Sequence, residues 1–129
     1  PTRRGVVLID PPYELKNDYV RTLGALREAL TRFPDAVVVV WLPQLQLLEA
    51  RQLPQRLKAS ADAQAKKGWV MARLTVADAD ARGFGMLGSH VFVANPPHTL
   101  RATLQQSLPF LAQALAQTQS QHAVEHGGG

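Results

Sequence analysis

Two short segments limit the fold more than any other feature of the chain: Gly5-Val-Val-Leu-Ile-Asp10 and Ala36-Val-Val-Val-Val-Trp41-Leu42. Both are unbroken apolar runs with no alternation of polar and apolar residues. A strand reads this way when both of its faces are covered, as inside a parallel sheet flanked by helices. The second run is strongly β-branched and stops at Pro43, which has no N–H to give a ladder. Between the runs, Tyr19, Leu23, Leu26, Leu30 and Phe33 fall on one face of a helix, expected from Asp18 as N-cap to Phe33. Strand, helix and strand make a βαβ unit.

The rest of the chain extends this unit. The segment from Leu45 to about Ala65 is helical in composition, and Pro54 should divide it into two shorter helices. Trp69 to Val76 and Ser89 to Ala94 read as strands, with no helix fitting between them, so they should pair antiparallel across a long loop. Leu100, Leu104, Leu108, Leu111 and Leu115 form the stripe of a last helix, with Pro109 as a kink. The Gln- and Ala-rich tail carries only weak signals. The expected architecture is α/β: a mostly parallel, doubly wound sheet with one antiparallel hairpin. Ligands of such sheets bind beyond the carboxyl ends of strands, so the residues following each strand are the ones to inspect.

Composition narrows the function classes. A chain of 129 residues with 46% hydrophobic content supports one compact domain. The net charge of +4 is compatible with a polyanionic partner without requiring one. The absence of cysteine excludes disulfides, thiolate metal sites and a cysteine nucleophile. No apolar run approaches the ~20 residues of a membrane helix, and no signal peptide opens the chain. Pro1 leads through Arg3 and Arg4 straight into the first strand, so the chain reads as beginning in mid-domain.

The first strand ends in Asp10-Pro11-Pro12-Tyr13-Glu14. Two prolines hold the backbone extended and offer no N–H groups, leaving the Asp10 carboxylate and prolyl carbonyls as acceptors beside an aromatic ring. This set suits a planar base with an exocyclic amine: the amine donates to Asp10 and the Pro11 carbonyl, and Tyr13 stacks on the face. The lone pair of an adenine amine is delocalised into the ring. Acceptors that draw its hydrogens out of plane free that pair for methyl transfer, and Asp10 also steadies the charge that develops on nitrogen. From residue types alone, a strand cap with a chain-reversing turn is also open.

Other signals point elsewhere. Gly83-Phe84-Gly85-Met86-Leu87-Gly88 matches a phosphate-binding glycine pattern, but a strand follows where a helix N-terminus is required, so a hairpin loop is expected. Asn95-Pro96-Pro97 echoes the Asp motif with a residue that cannot act as a base, and reads as a strand stop. His90, His98, His122 and His126 lack metal-ligand spacing, so structural or surface roles are expected and no metal site. Lys66, Lys67, Arg3 and Arg4 are candidates for phosphate contacts, with a solvated surface as the default.

Asp-Pro-Pro-Tyr is the motif of amino-group methyltransferases, and the string from Arg4 to Tyr19 resembles the type J large-subunit (23S) ribosomal RNA adenine-N6 methyltransferases. Trp41-Leu42-Pro43, Asp80-Ala81-Arg82-Gly83, Val93-Ala94-Asn95-Pro96-Pro97 and Leu108-Pro109-Phe110-Leu111 are similar as well. The resemblance implies a Rossmann-like sheet of order 3-2-1-4-5-7-6, of which this chain supplies strands 4 to 7. Residues 1–129 would then form the catalytic, C-terminal part of a single methyltransferase domain. It implies S-adenosylmethionine as donor, Asp10 as the catalytic carboxylate that also faces the donor, and Pro11, Pro12 and Tyr13 as the base-binding residues. It further implies 23S ribosomal RNA as partner, a cytoplasmic setting and no metal. The Gly-rich donor loop that precedes the motif in the family has no counterpart before Asp10. Related proteins are connected with the use of external DNA, which leaves a DNA adenine methyltransferase or a nucleic-acid-binding protein as alternatives.

Overall fold

The computed structural model describes residues 5–45, 47–76, 87–115 and 121–128. Along the chain come β1 (Val6–Ile9), α1 (Lys16–Arg32), β2 (Val37–Pro43), α2 (Leu48–Gln64), β3 (Trp69–Thr75), β4 (Gly88–Ala94), α3 (Leu100–Leu115) and β5 (Gln121–Gly127). The strands form one sheet of order β1-β2-β4-β3-β5. Its first four strands follow the 4-5-7-6 portion of the order expected from the resemblance.

The expectation of a mostly parallel sheet is corrected. Only β1 and β2 pair in parallel; the β2–β4, β4–β3 and β3–β5 ladders are antiparallel. β1, β2 and β3 do run in one direction, but β4 is inserted against the grain between β2 and β3 and converts what would be a parallel ladder into two antiparallel ones. The weak-looking tail supplies β5, an antiparallel edge strand beyond the expected hairpin. Its alternation is muted because both faces of an edge strand stay partly wet.

One face of the sheet carries the main core. Val38, Val40 and Leu42 of β2, Phe92 and Ala94 of β4, and Trp69 and Met71 of β3 meet Leu26 and Leu30 of α1 and Leu53, Leu57 and Ala61 of α2 in a single cluster. Trp69 stacks on Phe92 at 5.8 Å between ring centroids, and its indole N–H donates to Asp62 at 2.9 Å. On the other face Val70, Ala72 and Val93 are buried, with α3 packed against β3 and β5 and contributing Leu108 and Ala112. α3 stops short of β1, where Val6 and Leu8 are 73% and 66% exposed.

Two local expectations change. α1 begins at Lys16, so Asp18 is not the N-cap but the third residue of the helix, and its carboxylate accepts from the Leu15 N–H at 3.2 Å. This is the acidic half of a capping box, and it satisfies one of the open helix amides. Pro54 does not divide α2; it lies buried inside one continuous helix. The packing of its ring against the core offsets the lost hydrogen bond.

The echo motif is structural, as its sequence suggested. Asn95 is fully buried in the left-handed region, φ 54°. Its amide donates at 3.0 Å to the carbonyls of Pro34 and Ala36, and its side-chain oxygen accepts from the Lys67 N–H at 2.9 Å. One side chain thus joins the α1–β2 turn, the α2–β3 turn and the end of β4. Asn95→Ala removes three hydrogen bonds, one of them fully buried at the Ala36 carbonyl, and should destabilise the chain by about 2–4 kcal/mol. The midpoint of urea unfolding measures this.

Candidate active site at the carboxyl end of the first strand

β1 delivers Asp10 to the carboxyl edge of the sheet, where Pro11 and Pro12 end its ladder and turn the chain toward α1. Asp10 and Pro12 are exposed and Pro11 is half-buried. Together with Leu8, Ile9, Asp18, Arg21, Thr22 and Ala25 they line an open cleft of about 450 Å³. Three of the four expected site residues therefore share one accessible surface. Reasoning from the motif alone missed Asp18 and Arg21, three residues apart on the first turns of α1. Their closeness to the motif in sequence was the signal available.

Tyr13 departs from expectation. Its ring is 5% exposed and folded inward, 5.0 Å from the Tyr19 ring and 6.3 Å from that of Trp41, centroid to centroid. The phenol O–H donates to the Trp41 carbonyl at 2.7 Å and accepts from the Thr22 hydroxyl at 3.5 Å. Burial pushes this phenol up to about 12, so it stays a neutral donor. Such burial leaves the ring no open face for a base in this arrangement. What Tyr13 does here is anchor the motif: its backbone is left-handed, φ 54°. That conformation costs a non-glycine residue about 1–3 kcal/mol, which burial and the Trp41 bond offset. Strain held in place by packing is a feature of functional loops, and it fixes where Asp10, Pro11 and Pro12 point.

No three His, Asp or Glu side chains converge among the described residues. His98, His122 and His126 are exposed, and His90 lies half-buried on β4. Burial first, then the charge of Arg73, lowers the His90 pKa to about 4. The glycine pattern at 83–88 lies outside the described residues except for Leu87 and Gly88, and Gly88 opens a strand as anticipated. A Cβ at Gly88 would collide with the Leu74 carbonyl oxygen, which explains the glycine structurally.

A family model described as "Ribosomal RNA large subunit methyltransferase D, RlmJ" matches residues 1–126. The chain belongs to this family. Among curated RlmJ relatives, "Ribosomal RNA large subunit methyltransferase J" of Haemophilus influenzae is 36% identical over 113 residues, covering 88% of this chain and 38% of the relative. The Escherichia coli protein of the same name is 31% identical over 123 residues, covering 95% and 42%. A crystal structure of a protein from Legionella pneumophila str. Philadelphia 1 matches with a TM-score of 0.81 and 25% identity, over 98% of this chain and 45% of that one. The chain thus spans about two fifths of the length of these RlmJ relatives.

Two outcomes check this site. Tyr13→Phe removes one buried donor and should cost about 1–2 kcal/mol, and Tyr13→Ala, which opens a cavity, about 3–5 kcal/mol, read from urea midpoints. His90 takes up a proton near pH 6.5 when unfolded but only near 4 when folded. The unfolded state therefore binds more protons between these values, and stability should fall as pH drops through that window. His90→Gln should flatten that part of the stability–pH curve relative to the parent chain.

Proposed function

We propose that this chain carries the reacting end of an S-adenosylmethionine-dependent methyltransferase that modifies the N6 amine of adenine in large-subunit (23S) ribosomal RNA. The observation that carries the proposal is the placement of Asp10, Pro11 and Pro12 together in an accessible cleft at the carboxyl end of β1. Membership in the RlmJ family and the names of the curated relatives support the reaction class and the RNA substrate.

Each residue has a separable task. The Asp10 carboxylate and the Pro11 carbonyl accept the two amine hydrogens and draw the nitrogen toward tetrahedral geometry, so that its lone pair is available. Pro12 holds the loop rigid and adds no competing donor. Asp10 stabilises the positive charge that develops on nitrogen and takes the proton released after transfer. Tyr13, buried beneath the loop, sets the direction of these acceptors; stacking on the base would require its ring to turn outward. A base paired in a helix cannot reach such a cleft, so the target adenine is flipped out or single-stranded.

The donor supplies an electrophilic methyl group. The exposed carboxylate and the open cleft fit the methyl-bearing end of such a molecule, with Asp10 the residue that would face it. Among the described residues no Gly-rich turn leads from a strand into a helix, so residues 1–129 fit the C-terminal, catalytic part of a methyltransferase domain. Assayed in a polypeptide of the relatives' full length, Asp10→Ala should lower methyl transfer to unmodified 23S ribosomal RNA by ~10²–10³ or more, with folding intact. Turnover near that of the parent protein would overturn the assignment, and preferential transfer to DNA would overturn the substrate.

A further inference from the structure

A second polar site lies on the same edge of the sheet as Asp10, beneath α2. The strand registers show how it is built. The inner row Val40, Phe92 and Met71 is apolar and closed to solvent. One step toward the carboxyl ends of β2 and β3, the row becomes Leu42, His90 and Arg73. A step further, Thr75 donates to the Gln44 side chain at 2.7 Å. The core-facing side of the sheet therefore turns from apolar to basic on approaching its carboxyl edge.

Arg73, His90, Arg51, Lys58, Gln44 and Glu125 line a cavity of about 340 Å³ there. Glu125 is engaged by Lys58 at 2.5 Å. Arg73 Nε and His90 Nδ1 are shielded from water and have no hydrogen-bond partner. A buried polar atom left unmet is a real cost, and two on adjacent strands are an unusual way to finish a core. An anion with several oxygen acceptors relieves the Arg73 Nε–H, and relieves His90 where Nδ1 carries a proton. The guanidinium fork suits a phosphate, and the cavity is far roomier than the ~30 Å³ share of one water.

We propose that this cavity binds one phosphate of the nucleic-acid strand whose target base is presented at Asp10. The idea rests on the methyltransferase reading for its choice of strand. β1 lies two to three strand spacings from β4 and β3, so the cavity is offset laterally from Asp10 by roughly 10–14 Å, the reach of a phosphate flanking the target nucleotide. The contact carries no base information; it sets the register of the strand. An anion here also favours protonated His90, which otherwise faces Arg73 of β3 and Lys58 of α2 with Glu125 of β5 as its acidic neighbour among the described residues.

The test uses the 129-residue chain and two probes, inorganic phosphate and a short single-stranded RNA, followed by the NMR signals of the Arg73 Nε–H and the His90 ring. Both probes should shift these signals. Arg73→Met should weaken RNA binding at least tenfold, and Arg101→Gln, on α3 and away from this cavity, should not. Unmoved Arg73 and His90 signals at saturating RNA would overturn the proposal, as would phosphate binding without RNA binding, or a folded Arg73→Met chain that binds RNA like its parent. Should Arg73→Met fail to fold, the two parent-chain titrations decide alone. Retained shifts in a protein without methyl transfer would count against the methylation reading and leave the phosphate site standing.

Discussion

β4 runs antiparallel between β2 and β3, and most of the architecture depends on that insertion. Both edges of its backbone are taken up in ladders, to β2 on one side and β3 on the other. Phe92 and Ala94, fully buried, place its core face beneath α1 and α2. Asn95 then closes its end by bonding the turns that precede β2 and β3. Because β2 and β3 are held parallel by the strand between them, their carboxyl ends open on the same edge as that of β1. The cleft at Asp10 and the basic cavity under α2 share an edge for this reason.

The two Pro-Pro motifs show how similar strings take opposite roles. Each has one left-handed residue, Tyr13 after the prolines and Asn95 before them, both at φ 54°. Asn95 spends its side chain on backbone groups and is closed to solvent. In the Asp motif the strain and burial fall on Tyr13, which leaves Asp10 exposed with its carboxylate available. The division of labour is physical: one residue absorbs the cost of the turn, and the other is left open to solvent.

Much of this was legible from residue order. The continuous valine-rich runs marked β1 and β2 as strands, although β1 is not covered on both faces, Val6 and Leu8 being exposed; the 3.6-residue stripes required α1 and α3, and Asp10-Pro11-Pro12 marked a strand end rich in acceptors. Other features were not legible. The tail's pairing with β3 depends on a partner some fifty residues earlier in the chain, a non-local contact with no local signature. Pro54 by its own chemistry marks a helix break, and only its burial in the core overrides that preference. Tyr13 read as a stacking platform because a sequence shows that a ring adjoins the acceptors without showing which way it points.

What the sequence by itself determined is therefore most of the local elements, the motif and the family, because these rest on periodicity, on proline chemistry and on a specific string. The tertiary structure decided the balance of parallel and antiparallel ladders, since strand direction is set by which neighbour a strand finds. It also decided that Tyr13 faces inward, and that Arg73 and His90, distant in sequence, stand side by side on adjacent strands. Such pairings follow from register, and register is fixed by packing the apolar face of the whole sheet at once.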